Sequence, residues 1–545
     1  MDAILFGIAG FLFVFFHLTG WELEQSGNIL WTTGHTVYVL ALSLVLGIVV
    51  GEGIRFLFLF MQKKQVKEQK EQELITHGKG SGMVWLGSLV LLVAARLPVF
   101  LAFYPGICAY DMSIQLGQIG ANEYNLHHPL AHTLLLKYSL LFGEKVLHNP
   151  TGGIACMVFG QILLLSAAMA LGIAFLYKKG VRKAGLILLQ AFWMFYPFYS
   201  YLNISVTKDV LFAVFFQFQM IALIQLLTEK RRWQYELLFV VSTVLMQLFR
   251  NNGIYAFLCL EGVFFLCLLF GKKDRKRYLR LFLEGVISLV GGVLCLAVLT
   301  RATGAQQGDK REMLSVPIQQ LARCMVYHGG VGVIPEDDGT MQEQDRALIN
   351  DFLLNNSYRY YDEKISDPVK NHTNTYIVRY RTADFLKTYL HLLQRYPGEL
   401  VNAFLTLNAG YLYMGDESHG RIYEFRDEEG LSYIHTRWDF NVEEYGVFRH
   451  SFAEGLRSFL VKWANDNGHL SIPIVKYFFV PALVFWAYLI TFLNLVRKKS
   501  WKKCIPYALV AGYYLTLFLG PAVQLRYLFP LLVTLPFLIC CSNSE

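Results

Sequence analysis

The chain has 545 residues, of which 54% are hydrophobic and 17% are charged, and its formal net charge is +8 at pH 7. A soluble protein of this length would form several domains with a charged surface, so the composition excludes an ordinary soluble protein. Nucleic-acid binding does not explain the positive charge, because the basic residues cluster in short loops at the edges of apolar segments. The nine cysteines are scattered without a CxxC pair, which indicates neither a disulfide framework nor a zinc finger.

Twelve apolar segments predict membrane-spanning helices. Each is close to the roughly 20 residues that an α-helix needs to cross a hydrocarbon core of about 30 Å. No Lys or Arg precedes the first segment and no small-residue cleavage site follows it, so we expect a retained span and not a signal peptide. The predicted spans are residues 2–20, 36–60, 83–103, 151–177, 184–202, 208–228, 234–250, 253–271, 281–300, 472–496, 505–521 and 526–541.

Five basic loops predict the orientation of these spans. Short loops rich in Lys and Arg stay on the cytoplasmic side of a membrane. Counting spans between the loops puts all five on one side, together with both termini. This holds only if the apolar segment 128–143 does not cross, so we expect that segment to lie in the outer interface. The basic loops are residues 63–70, 178–183, 229–232, 272–277 and 497–503.

The spans divide the chain into five regions, and the predicted fold follows from them. We expect an all-α polytopic membrane protein with about twelve transmembrane helices, interfacial helices in the first large outer loop, and a mixed, mainly helical extracytoplasmic domain. That domain holds 18 basic and 24 acidic residues and is large enough for its own core. The regions are the N-terminal spans 1–103, the outer loop 104–150, the spans 151–300, the extracytoplasmic domain 301–470 and the C-terminal spans 471–545.

Polar residues at the predicted outer ends of the spans form the candidate site. Ionisable groups near the bilayer are costly, so they tend to mark a site or a pathway. An Arg and a Lys at that depth suit a lipid phosphate, an Asp above them can act as general base on a hydroxyl, and aromatic rings suit sugar faces. Asp111 is the candidate base, and the candidate binding residues are Tyr110, His127, His128, Lys208, Asp209, Arg250, Asn251, Gln319, Gln320, Arg323, Arg526 and Tyr527.

Short motifs in this set resemble those of the GT-C superfamily of integral membrane glycosyltransferases. "YD" at Tyr110–Asp111 and "HHPL" at His127–Leu130 are similar to the first outer loop of its protein mannosyltransferase and lipid A aminoarabinosyltransferase branches. "TKD", "RNNG" and "LRYLFP" look like segments of bacterial members of that class. Two features differ, since Met112 follows Asp111 where many relatives have Glu, and the first large loop follows the third span.

The resemblance implies a function and a location. The expected reaction is an inverting transfer of a sugar from a polyprenyl-phosphate donor to a glycan, lipid or protein acceptor of the cell envelope. Asp111 would be the base, and the site would face the outside of the cell membrane. We expect no nucleic-acid partner, and the sequence predicts no metal ligands. Participation of Mg²⁺ or Mn²⁺ stays open.

The same residues allow other interpretations. Asp111 also fits a helix cap. His128 and His132 have the i,i+4 spacing of paired metal ligands, but no third ligand is evident, so hydrogen bonding in the loop or to the lipid phosphate is favoured. Lys208, Asp209 and Arg526 also fit interfacial anchors. Residues 311–330 also fit an amphipathic helix that lies on the bilayer.

Two other function classes remain open. A transporter or flippase for a lipid-linked glycan would need polar groups midway through several spans, and Glu52, Arg96 and Glu261 are the main examples. A non-catalytic subunit of an envelope polysaccharide assembly complex would need no catalytic base.

Overall fold

The structure is a computed structural model that describes residues 2–69, 80–271, 273–416 and 442–543, except the side chains of residues 61–69, Tyr110 and Val378. Within these ranges the protein is all-α, with isolated β-bridges between loops and no strand. The helices before residue 204 are α1 (Asp2–Ser26), α2 (Thr33–Gln69), α3 (Ser81–Ala102), α4 (Tyr110–Ala121), α5 (Leu130–Lys145), α6 (Pro150–Lys178), α7 (Lys183–Phe195) and α8 (Pro197–Asn203).

The remaining helices form the second half of the bundle and the domain over residues 301–470, which we call the outer domain. The bundle continues with α9 (Lys208–Thr228), α10 (Trp233–Phe249), α11 (Gly253–Phe270) and α12 (Arg275–Thr303). The outer domain contains α13 (Ser315–His328), α14 (Glu343–Phe352), α15 (Asp367–Lys370), α16 (Thr375–Tyr380), α17 (Thr382–Arg395), α18 (Pro397–Leu412) and α19 (Glu454–Asn465). The chain ends with α20 (Pro481–Arg497), α21 (Trp501–Cys504), α22 (Tyr507–Phe518) and α23 (Phe529–Asn543).

Eight segments of the described chain are long and apolar enough to cross a membrane, which makes this a multi-pass membrane protein. They coincide with eight of the twelve predicted spans: α1, α2, α3, α6, α9, α11, α12 and the stretch Leu525–Ser542. The other four predicted spans coincide with shorter helices. Residues 184–202 are divided between α7 and α8, and 234–250 correspond to α10. Residues 472–496 become α-helical only at Pro481, after a 3₁₀ turn at Val475–Phe479, and 505–521 contain the 12-residue α22.

The break between α7 and α8 explains the charge within the third predicted span. Pro197 begins α8, so the chain cannot continue α7 in one straight helix. The carbonyl groups at the end of α7 then lack helical partners. Arg96 of α3, which is fully buried, donates to the carbonyl oxygen of Met194 at 2.8 Å and to that of Trp193. This intramembrane charge therefore satisfies a helix end.

Glycines bring α1 and α2 into direct backbone contact. A Cβ atom on Gly10 would lie 1.9 Å from the carbonyl oxygen of Gly47, and one on Gly51 would lie 2.2 Å from that of Phe6. Small residues four apart let two membrane helices approach in this way, because lipid supplies no hydrophobic force between them. The sequence "GIVVG" at residues 47–51 carries this signal.

Residues 128–143, which we expect not to cross the membrane, contain most of helix α5, and α5 is not among the long apolar helices of the described chain. It has 16 residues and folds back onto the beginning of α6. Gly153 of α6 lies so close to α5 that a Cβ atom would be 2.1 Å from the carbonyl oxygen of Ser139. Helix α5 thus stays beside the first turns of α6.

The basic loops meet at one end of the bundle, which we call the basic end. Side chains from these loops reach acidic groups and carbonyl oxygens of neighbouring loops or helix ends. The pairs are Lys179 with Glu229, Arg277 with the Leu227 carbonyl, Lys502 with Asp274 and Lys503 with the Cys541 carbonyl. The guanidinium of Arg497 lies 6.0 Å from the ring of Phe58, shortly before loop 63–70. Residues 70 and 272 of these loops lie outside the described chain.

The outer domain has an apolar core of its own, separate from that of the helix bundle. Helix α13 runs through it and is buried on nearly every side, so residues 311–330 are not a surface helix lying on a bilayer. Helix α18 joins this domain to the bundle by packing against α1 and α20. Its Asn402 accepts from Trp31 Nε1 at 2.8 Å and donates to the Ile29 carbonyl at 3.1 Å.

Candidate functional site

Asp111 lies in the first turn of α4, at the end of the bundle opposite the basic end. Helix α9 begins beside it at Lys208 and ends at Thr228, next to Glu229 of the basic end. The N-cap of α4 is Ala109 without a side-chain cap bond, so Asp111 is not the cap residue. Its side chain is only 5% exposed.

Two cations from distant parts of the chain converge on this carboxylate. Lys208 Nζ lies 2.9 Å from Asp111 Oδ2, and Arg526 Nη1 lies 3.5 Å from the same oxygen. Burial by itself would raise the pKa of the Asp111 carboxyl, but Lys208, Arg526 and His128 together hold that pKa well below its usual range. Asp111 is therefore ionised and balanced by the two side chains.

His128 completes this group, which we call the Asp111 cluster: Asp111, His128, Lys208 and Arg526. Lys208 Nζ lies 3.1 Å from Nδ1 of His128. Burial and then the charge of Lys208 lower the pKa of His128 well below its usual range, so the ring is neutral. Because an ammonium can only donate, Nδ1 accepts and the ring proton sits on Nε2.

A second ion pair lies next to the cluster. Arg250, between α10 and α11, donates to Asp209, which is completely buried. Three aromatic rings surround the Arg250 guanidinium at 5.3 to 5.6 Å, and they belong to Phe212, Tyr513 and Tyr527. Tyr527 also lies 5.0 Å from the guanidinium of Arg526, so it connects the two groups.

Short backbone connections hold the loops that carry these residues. Ile107 donates to the Ile204 carbonyl and accepts from Val206, both at 2.9 Å, which fixes the Asp111 loop beside the start of α9. Thr207 is the N-cap of α9 and places Lys208 and Asp209 in its first turn. On the far side, Ser366 of the outer domain donates to the Pro521 carbonyl at 2.8 Å, just before the Arg526 turn.

His127 and Asn251 lie at the rim of the cluster. Asn251 Nδ2 donates to the Leu126 carbonyl at 3.1 Å, which ties the α10–α11 turn to the first outer loop. His127 Nδ1 lies 4.0 Å from Glu312 of the outer domain. Glu312 in turn binds Lys370 at 2.6 Å. These contacts place the outer domain directly against the first loop.

Gln319, Gln320 and Arg323 do not meet the Asp111 cluster through the polar contacts of the described chain. Gln320 is held between the Leu400 carbonyl at 2.8 Å and the Tyr389 hydroxyl at 2.7 Å, and Gln319 donates to the Asp362 carbonyl. Arg323 pairs with Glu399 at 2.7 Å and donates to the Gly27 carbonyl at 2.8 Å. They connect helices of the outer domain to each other and to the end of α1, and their role in binding stays a prediction. The side chain of Tyr110 lies outside the described residues.

Residues 121–544 match the family described as "Family of unknown function (DUF6020)". The chain belongs to this family. The match includes every member of the Asp111 cluster except Asp111 itself, which lies ten residues before its start. None of the curated proteins compared with the chain matches it.

A buried row of hydrogen-bonded polar side chains near the Asp111 cluster was not predicted from the sequence of this DUF6020 chain. His132 Nδ1 donates to Gln115 Oε1 at 2.9 Å, and Gln115 Nε2 donates to Thr133 Oγ1 at 3.0 Å. The i,i+4 spacing of His128 and His132 was the available signal, and it favoured hydrogen bonding over a metal site without indicating these partners. In the described residues no group of three or more His, Cys, Asp or Glu side chains is placed to hold a metal ion. Tyr513, which faces Arg250, had no signal in the linear sequence.

Proposed function

We propose that this DUF6020 protein is a GT-C-type membrane glycosyltransferase. It transfers a sugar from a polyprenyl-phosphate donor to an acceptor of the bacterial cell envelope. The observation that carries the proposal is the buried Asp111 carboxylate held between Lys208 and Arg526 at one end of an apolar bundle. Family membership supports no particular reaction, so the argument rests on this site.

The orientation follows from the two unlike ends of the bundle. Short basic loops remain cytoplasmic, so the basic end and both termini face the cytoplasm and about twelve helices cross the membrane. The Asp111 cluster then lies at the outer face, together with the domain over residues 301–470. A substrate with its lipid tail in the bilayer and its polar head outside suits that position. Nucleotide sugars are not expected on that side.

Three members of the cluster, Asp111, Lys208 and Arg526, have direct roles in the reaction. Lys208 and Arg526 bind the phosphate, and the fork of Arg526 suits two phosphate oxygens. Asp111 accepts the proton of the acceptor hydroxyl. The acceptor oxygen bonds to the anomeric carbon from the face opposite the phosphate, the bond from that carbon to the phosphate oxygen breaks, and the configuration inverts. The two cations stabilise the negative charge that grows on the departing phosphate.

Arg96 and Glu52, two of the residues that would favour a transporter, have local partners, whereas neither carboxylate oxygen of Glu261 has a hydrogen-bond partner in the described chain. Arg96 satisfies the end of α7, and Glu52 pairs with Arg55 of its own helix at 2.6 Å. Glu261 packs against Gly285, where a Cβ atom would lie 1.7 Å from its carboxylate oxygen. These groups lie on three separate helices, α2, α3 and α11. This supports chemistry at the outer face over transport of a lipid-linked glycan.

The test compares envelope glycans and lipid-linked sugars by mass spectrometry in cells that carry wild-type protein, Asp111→Asn or no protein. We expect Asp111→Asn to be expressed normally but to lose the glycan product and accumulate one polyprenyl-phosphate sugar. Asp384→Asn is the matched control, because this carboxylate is 45% exposed in the outer domain. An unchanged product with Asp111→Asn would favour the non-catalytic subunit.

A further inference from the structure

The two cations assigned to the phosphate already hold an anion. Lys208 and Arg526 both contact the same oxygen of Asp111. A phosphate that binds these cations must therefore compete with a neighbouring carboxylate of the protein itself. The competition is strong because the site is buried and water screens its charges weakly.

We propose that Asp111 occupies the place of the ligand in the free protein, and that the phosphate group of a polyprenyl-phosphate ligand displaces its carboxylate from Lys208 and Arg526 on binding. The inference rests on the proposed function and adds to it the order in which the donor binds and the base becomes active. The donor phosphate binds first and takes over the two cations. Asp111 is then released to accept the proton of the acceptor hydroxyl.

The electrostatics of the cluster support this order. A carboxylate that two cations hold far below its usual pKa is a weak base. Once phosphate neutralises Lys208 and Arg526, burial becomes the dominant influence on Asp111, and burial raises the pKa of a carboxyl. The neighbouring charges Asp209 and Arg250 balance each other, and His128 is neutral. Without bound donor the base stays inactive, so water is not activated in an empty site.

The exposure of the cations indicates which ion pair is exchanged. The side chains of Lys208 and Arg526 are each 16% exposed, so both can be reached from the outer face. In the neighbouring pair, the side chain of Arg250 is 8% exposed and that of Asp209 is fully buried. Aromatic rings enclose Arg250 as well. We therefore expect the Asp209–Arg250 ion pair to remain intact, and the ion pairs of Asp111 with Lys208 and Arg526 to be replaced when phosphate binds.

The experiment measures binding of ligands to full-length protein in lipid nanodiscs, without any turnover. The probes are a polyprenyl phosphate, the matching uncharged polyprenol, and inorganic phosphate. We expect Asp111→Asn to bind polyprenyl phosphate about tenfold more tightly than wild type, because the competing anion is gone while the shape is kept. Binding of polyprenol should not change. Tighter binding of inorganic phosphate as well would show that the head group alone displaces Asp111.

Two further variants keep the result interpretable. Lys208→Gln should weaken binding of polyprenyl phosphate, and the gain from Asp111→Asn should shrink in the double variant, because the two residues share one interaction. Asp384→Asn should bind like wild type, and thermal unfolding checks that each variant is folded. If Asp111→Asn binds polyprenyl phosphate equally or more weakly, the displacement is wrong although the proposed function stands. If neither protein prefers polyprenyl phosphate over polyprenol, the proposed function fails with it.

Discussion

His128 Nδ1 lies 3.1 Å from Lys208 Nζ, and this contact assigns a distinct task to each ring nitrogen. The amide of Asn places an oxygen near the position of Nδ1, whereas the longer Gln places its amide near Nε2. If His128 acts by holding Lys208, His128→Asn should retain most transfer activity. His128→Gln should lose about tenfold or more, since a hydrogen bond to a charged group contributes about 1.5–3 kcal/mol.

The readout for His128 is the rate of the proposed sugar transfer, with polyprenyl phosphate binding measured alongside. The two variants serve as controls for each other, because both remove the imidazole and differ only in where an acceptor remains. The opposite ranking, with Gln active and Asn inactive, would mean that Nε2 is the functional atom and that the Lys208 contact is incidental.

The pH dependence of stability should report His132. Burial, then the charge of Lys208, lowers the pKa of His132 to about 4 in the folded protein. Between pH 6.5 and 4 the unfolded chain therefore binds a proton that the folded chain refuses. The contribution of neutral His132 to the free energy of unfolding is fully present above pH 6.5. It decreases as the pH falls, by about 1.4 kcal/mol per pH unit and about 3 kcal/mol in total.

His132→Asn separates this titration from packing, because Asn retains a donor toward Gln115 but cannot take up the proton. Chemical unfolding in detergent between pH 4 and 7 should show a pH slope that is smaller by about one proton than that of wild type. The absolute stability of the variant can fall without affecting this comparison. An unaltered slope would show that His132 is not held neutral.

The lengths and positions of the apolar runs in the sequence predicted the long helices, but not where the shorter helices begin and end. Runs of apolar residues identified α6 and α9, because lipid requires about 20 apolar residues in a helix that crosses it. The break at Pro197 was not predicted, since the apolar run continues through it and the partner that permits it, Arg96, is far away in sequence. The absence of α-helix before Pro481 in the predicted span 472–496 was also not predicted, because hydropathy does not detect a turn.

The candidate site shows the same division between local and distant information. Asp111, Lys208 and Arg526 were grouped because span counting placed all three at one face, and the structure brings them into contact. Gln319, Gln320 and Arg323 carry the same kinds of polar group but are bonded within the outer domain. Their partners lie on other helices and loops more than 30 residues away in the sequence, and periodicity does not reveal side-chain pairing at that distance.

Backbone contact between α1 and α2 should make Gly51 intolerant of any side chain. Gly51→Ala would place its Cβ atom 2.2 Å from the Phe6 carbonyl oxygen, so the helices must separate, at a cost of about 1–3 kcal/mol. Gly53→Ala is the matched control, because a Cβ atom there has no atom within 4 Å. Thermal unfolding in detergent should show a lower midpoint for Gly51→Ala alone. Equal midpoints for the two variants would contradict the close approach.

Removal of Arg96 should destabilise the bundle more than removal of another charged residue in the same set of spans. Arg96→Met keeps the length of the side chain but leaves the Trp193 and Met194 carbonyls without their donor. Buried polar groups that lose a partner cost about 1–3 kcal/mol each. Arg55→Met provides the comparison, because its pair with Glu52 is partly exposed and such pairs contribute about 0–1 kcal/mol. Thermal unfolding should therefore show a large fall in midpoint for Arg96→Met and a small one for Arg55→Met. The reverse order would mean that Arg96 serves a pathway through the membrane, as a transporter requires, and not the end of α7.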